Sequence, residues 1–163
     1  MAQSSAGIRL YWCNGATISA NGTASLPTSP TWNEIPDVTS IPALGGEPNM
    51  LDATVLSETV QKRYIPGLKD PGGSLGYAVL MTPAMLNSTN SAVNAYATGA
   101  ALTSPTYTAF AVQFPAPLST YYWYMGEPIP VTPGETEVDG VLSSTFYTSV
   151  GSTITGVSGT ITA

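Results

Sequence analysis

Apolar and polar residues alternate in several separate stretches, which is typical of strands with one buried face. Residues 8–12, Ile-Arg-Leu-Tyr-Trp, place Ile, Leu and Trp on one face and Arg and Tyr on the other. The same alternation recurs at 75–81 and at 108–114, and the aromatic run at 121–125 predicts a further strand. Asn-Gly pairs and prolines separate these stretches, as expected for turns and short strands. The pattern predicts an all-β protein of the sandwich or barrel type.

A few stretches refine this prediction. Apolar residues at helical spacing, preceded by Ser and Asn residues that suit a helix cap, predict one flanking α-helix at 88–100. A short strand is predicted at 53–57. Asp139-Gly140 predicts the tip of a hairpin between strands at 136–138 and 141–146.

The segment from Gly45 to Gly73 has little periodic apolar character. Irregular segments of this length are uncommon in compact domains and are usually functional or disordered. The stretch QKRYIPGLKDPGG within it, residues 61–73, holds three of the chain's four basic residues, Lys62, Arg63 and Lys69. A solvated loop is the simplest interpretation of such a charge cluster. The alternative is a contact surface.

Length and charge limit the classes of function. At 163 residues the chain suits a single domain, 1–163. Charged residues make up 9%, against about 25% in average proteins. The formal net charge of -6 argues against nucleic-acid binding, which needs a basic surface. The sequence shows neither a signal-peptide pattern nor an apolar run of about 20 residues, so no membrane partner is expected.

Candidate catalytic groups are few. The chain has no histidine, the commonest general base and metal ligand, and its single cysteine, Cys13, cannot form an intramolecular disulfide. Glu135 and Glu137 lie two apart, as a glycosidase pair could, but an exposed strand face beside a turn is the favoured interpretation. We therefore expect no enzyme, no cofactor and no metal site.

The aromatic residues at 121–124 leave a binding function open. Tyr and Trp side chains can stack on sugar rings, as in carbohydrate-binding or adhesin-like β-sandwiches. An aromatic strand that is half core and half interface is the more ordinary interpretation.

The stretch DATVLSETVQKRYIPGLKDPGGSLGYAVL, residues 52–80, carries a resemblance to a known family. A Thr-x-Leu-Ser strand, a polar stretch and the pattern Gly-Leu-x-Asp-x-Gly-Gly-Ser lead into a further strand. The order continues through AVQFPAP, an aromatic strand ending at Gly126 and a Thr-rich end. In these features the chain resembles the major tail tube proteins of long non-contractile (siphovirus-type) bacteriophage tails.

The resemblance implies a structural protein of the virion tail that assembles in the host cytoplasm. Its subunits would form hexameric rings that stack into a tube, and DNA would pass through the lumen from capsid to host without specific binding. Other implied partners are the tail terminator, the tape measure and the baseplate or tip proteins. The segment at about 45–73 would be an extended assembly loop. Negative charge along the channel wall would keep DNA from adhering.

The charge cluster then has an expected role. A ring of six subunits would carry six times -6, or -36, and this charge opposes stacking at contact distance. A basic patch that faces acidic groups of the next subunit would offset this repulsion and set the register. The predicted self-assembly interface consists of Glu47, Asp52, Glu58, Lys62, Arg63, Tyr64, Lys69 and Asp70.

Overall fold

The computed structural model describes residues 6–19, 23–46, 49–57, 59–67, 73–83, 106–129, 131, 134 and 140–162. Regular structure within these ranges consists of β-strands. The strands are β1 Arg9–Ile18, β2 Ala24–Ser25, β3 Asn33–Ile35, β4 Val38–Ser40, β5 Met50–Asp52, β6 Tyr64–Pro66, β7 Ser74–Leu80, β8 Thr106–Phe114, β9 Thr120–Gly126, β10 Ser143–Ser149 and β11 Thr155–Ser158. The predicted all-β class is confirmed. The predicted helix at 88–100 lies outside the described residues.

The strands form two larger sheets and one small sheet. Sheet A has the order β11-β9-β8-β1-β2, and β3 also pairs with β1. Sheet B has the order β10-β7-β4, and β5 pairs with β6 in a separate two-stranded sheet. All of these pairs are antiparallel.

The main core lies between sheets A and B. On β7, Leu75, Tyr77 and Val79 are buried and alternate with more exposed residues, as the sequence pattern predicts. Phe110 and Tyr124 of sheet A belong to the same core, and their rings stack with centroids 5.8 Å apart. Burial of apolar surface at about 25 cal/mol per Å² stabilises this sandwich.

Sheet A is covered on its second face as well. Tyr11, Cys13 and Trp123 are buried there, and Trp32 from the segment before β3 packs against them. Ile161, beyond β11, lies against the same cluster. Burial raises the pKa of the Cys13 thiol to about 12, so this thiol stays protonated at neutral pH.

A buried hydrogen-bond network links the two sheets. The hydroxyl of Tyr124 in sheet A lies 2.7 Å from the hydroxyl of Tyr77 and 2.5 Å from Thr148 Oγ1, both in sheet B. Burial raises the pKa of both tyrosines, to about 12 for Tyr124. Both phenols are therefore neutral at ordinary pH, and each can donate a hydrogen bond within the network.

We expect the variant Tyr124→Phe to lose about 1–3 kcal/mol of unfolding free energy, because the buried Tyr77 and Thr148 hydroxyls each lose a partner. Urea denaturation would measure the loss. The matched control is Tyr147→Phe, whose ring is 48% exposed and which should change stability by less than about 0.5 kcal/mol. Equal effects in the two variants would contradict a stabilising role for the network.

Two strand predictions need correction. The strand predicted at 53–57 is instead β5, Met50–Asp52, because the Asp52 carboxylate accepts a hydrogen bond of 2.9 Å from the Thr54 N–H and starts a turn there. The strand predicted at 141–146 is β10, Ser143–Ser149. It continues to Ser149 because the ladder with β7 still pairs Thr148 with Leu75 and Ser149 with Ser74. The buried Thr148 hydroxyl also bonds to Tyr124, a contact that alternation alone does not reveal. The partner strand predicted at 136–138 lies outside the described residues.

Candidate self-assembly interface

Strands β5 and β6 form a two-stranded arm within the connection between β4 and β7. Their ladder pairs Met50 with Pro66, Leu51 with Ile65 and Asp52 with Tyr64. All six of these residues are exposed. Because an isolated two-stranded ribbon is marginally stable in water, the arm is the kind of element that gains stability from a partner.

Thr54 fixes the arm just beyond the ladder. The Arg63 N–H donates to Thr54 Oγ1 at 2.9 Å, and the Ala53 N–H donates to the Arg63 carbonyl at 2.8 Å. Hydrogen bonds from Thr54, side chain and backbone, lower the pKa of Asp52, so its carboxylate is charged at neutral pH. These bonds hold the backbone of Arg63 in place independently of its side chain.

Four of the eight predicted interface residues come together on this arm. Asp52 and Tyr64 are directly opposite each other in the ladder, and Lys62 and Arg63 are exposed immediately before β6. No ion pair joins Lys62 to another described residue. The remaining four lie outside the described residues: Glu47, Glu58, Lys69 and Asp70.

Sequence reasoning missed the apolar side chains of the arm. Of the thirteen large hydrophobic side chains that are exposed among the described residues, seven lie here, and Leu56 is fully exposed. They are Met50, Leu51, Val55, Leu56, Val60, Tyr64 and Ile65. Exposed apolar residues concentrated in one place mark an interaction surface. The sequence does contain one indication of this surface, namely several apolar residues in a segment without strand or helix periodicity. An analysis of periodicity does not detect it.

The two larger sheets differ in how their ends are protected. The outer edge of β10 is covered by the segment that follows β9, since the Ile129 N–H donates to the Tyr147 carbonyl at 2.8 Å and the Gly134 N–H to the Ser143 carbonyl at 3.1 Å. Strands β4 and β11 are end strands of sheets B and A. Edge strands of this kind readily pair with another chain.

The described residues offer little for catalysis. An open cavity of about 550 Å³ is lined in part by residues 41–45, which connect β4 to the arm. Its lining also includes Phe114 and Tyr122. It is lined by aliphatic and aromatic side chains, glycine and proline, without carboxylates or amines. Across the described part of the chain, no group of three or more acidic, His or Cys residues could hold a metal ion. Within that part, no helix is long and apolar enough to cross a membrane.

The aromatic strand offers an incomplete platform for sugars. Trp123 and Tyr124 are 6% and 0% exposed, so two of the four aromatic side chains at 121–124 belong to the cores. Tyr121 is partly buried against Trp32, with ring centroids 6.4 Å apart. The structure thus agrees with the half-core interpretation of this strand.

Comparison with known families decides the broad class. A family model described as "Phage tail tube protein" matches residues 14–116, which span from β1 to the end of β8 and include the arm. The chain belongs to the phage tail tube protein family. A tail tube protein is a structural component of the virion tail and works by assembling with other tail proteins. This membership confirms the family-level prediction.

A solved structure agrees at the level of the fold. The tail tube protein is similar to a chain in the structure titled "Cryo-EM structure of the anti-feeding prophage (AFP) baseplate, 6-fold symmetrised", with a TM-score of 0.66 and 11% sequence identity. The match covers 99% of this chain and 100% of that chain. At this identity the likeness concerns the fold alone. No curated protein matches the sequence.

Proposed function

We propose that this tail tube protein forms hexameric rings that stack into the tube of a long non-contractile tail, through which DNA passes from capsid to host. The observation that carries the proposal is the arm, a two-stranded ribbon with seven exposed apolar side chains next to Lys62 and Arg63. Such a surface gains stability when a neighbouring subunit covers it. The protein acts by assembly and without catalysis.

The charge distribution supports this role for the arm. Arg9 is paired with Glu34 at 3.2 Å, whereas no ion pair joins Lys62 to another described residue, and Arg63 lies exposed beside it. In a chain of net charge -6 these two cations would face acidic groups across the joint. The interface would also include Asp52 and Tyr64, together with Glu47, Glu58, Lys69 and Asp70 of the wider assembly loop at about 45–73.

The sheet ends supply a second type of contact. Strands β4 and β11 can each accept an edge of a neighbouring subunit, which would continue the sheets around a ring. The tube would end at a tail terminator and at baseplate or tip proteins, and would enclose a tape measure. Assembly would take place in the host cytoplasm.

The purified protein should form rings or hollow tubes as its concentration rises. Light scattering would follow growth, and electron microscopy with rotational averaging would determine the symmetry. Rings of six subunits that stack coaxially are the expected result. A compact monomer at every concentration and salt condition would overturn the proposal.

A further inference from the structure

Of the two larger sheets, only sheet B has an uncovered face among the described residues. Sheet A is packed against sheet B on one side and against Trp32 and Ile161 on the other. On β10, by contrast, Thr145 and Tyr147 are exposed, while the neighbouring Phe146 is buried between the sheets. If a sheet of this subunit lines a channel, sheet B has the free face that can do so.

The free face of sheet B, here called the wall face, is uncharged. Strand register places residues of β7 and β10 opposite one another, with Ala78 beside Thr145 and Gly76 beside Tyr147. The wall face consists of Ser74, Gly76, Ala78, Leu80, Ser143, Thr145, Tyr147 and Ser149. Its polar groups are hydroxyls, and none of its eight side chains carries a charge at neutral pH.

The wall face also has low relief, because its largest side chain lies across a glycine. A Cβ atom on Gly76 would lie 2.9 Å from Cε1 of Tyr147 and 3.1 Å from Cγ2 of Thr145. The Tyr147 ring therefore occupies the space that a side chain at position 76 would fill. Cross-strand pairing of an aromatic ring with glycine also stabilises the sheet at that point.

We propose that the wall face lines the channel of the tube and that the molecule passing over it is duplex DNA. This inference rests on the proposed function. Duplex DNA carries one charge per ~1.7 Å, and every fixed cation on a wall would hold a phosphate. A surface of hydroxyls and small side chains presents no such cation and few obstacles. This inference differs from the acidic wall expected from the net charge, since the proposed wall is neutral.

Single cysteines would locate the wall face in assembled tubes. The matched pair is Thr145→Cys on the wall face and Thr31→Cys, an exposed threonine next to Trp32 on the opposite side of sheet A. The native Cys13 is buried and protonated, so it leaves the labelling specific. Preformed tubes would be treated with a maleimide undecagold cluster and imaged by electron microscopy.

We expect gold along the tube axis for Thr145→Cys and on the outer surface for Thr31→Cys. Gold from Thr145→Cys on the outer surface would overturn the inference while leaving the tube itself intact. If Thr145→Cys alone blocks assembly, Ser143→Cys on the same face replaces it. If both block assembly while the unmodified protein forms tubes, the wall face is a contact between subunits and the inference is wrong. Failure of the unmodified protein to form tubes would overturn the proposed function instead.

Discussion

The double variant Lys62→Glu/Arg63→Glu should fold normally and fail to build tubes at concentrations where the unmodified protein does so. The substitutions change the subunit charge from -6 to -10 and place like charges at every joint. Folding should survive, because both residues are exposed and the Arg63 backbone keeps its hydrogen bonds to Thr54 and Ala53. A loss of about 1.4 kcal/mol per contact raises the concentration required about tenfold, and we expect at least this shift.

A matched pair of variants can separate the effect of net charge on assembly from the effect of where the charge lies. Lys62→Gln/Arg63→Gln and Ser29→Glu/Thr31→Glu both bring the subunit to -8, but the second pair alters exposed residues of the segment before β3. Assembly should weaken in the first variant and remain near normal in the second. Added salt should partly restore the Glu double variant, since it screens exposed charges. If the two matched variants assemble equally well, Lys62 and Arg63 belong to a solvated loop and not to an interface.

Gly126→Ala should destabilise the fold severely. Gly126 ends β9, and a Cβ there would overlap the carbonyl oxygen of Ser149, a backbone atom of β10. That carbonyl cannot move freely, because it shares a planar peptide group with the Val150 N–H, which donates to the Gly73 carbonyl at 2.8 Å. We expect a loss of about 3 kcal/mol or more, a large part of the roughly 5–15 kcal/mol by which domains are stable. Soluble yield and thermal denaturation would measure it.

The control for this substitution lies close by. A Cβ on Gly151 would approach the Met125 carbonyl oxygen at 3.3 Å, which a shift of a few tenths of an ångström relieves. Gly151→Ala should therefore cost much less than Gly126→Ala. A Gly126→Ala protein as stable as the Gly151→Ala protein would show that β9 and β10 can separate locally at little cost.

The sequence predicts the fold best where a strand has one covered face. The alternation of Leu75, Tyr77 and Val79 on β7 corresponds directly to burial in sheet B. On β1 the same reasoning places Tyr11 on the solvent-exposed face of the strand, but Tyr11 is only 4% exposed. Tyr11 is covered by residues distant in the chain, such as Trp32, and a local pattern contains no information about them.

The candidate interface shows a similar division. Charge clustering draws attention to Lys62 and Arg63, and the structure places both on the arm. Periodicity does not reveal Leu56 and Val60, because they are exposed and lie between β5 and β6, outside the paired strands. The channel wall is likewise invisible in the sequence, since it depends on which sheet is left uncovered.

The placement of the arm has a mechanical consequence. Its two ends continue into β4 and β7, which are hydrogen-bonded neighbours, and β7 is bonded to β10 on its other side. When a neighbouring subunit pulls on the arm along the strand direction, the ladder hydrogen bonds of β7 are loaded in shear and share the force. They do not open one at a time. A tail that flexes would transmit load from joint to joint through a strand that is hydrogen-bonded on both of its sides.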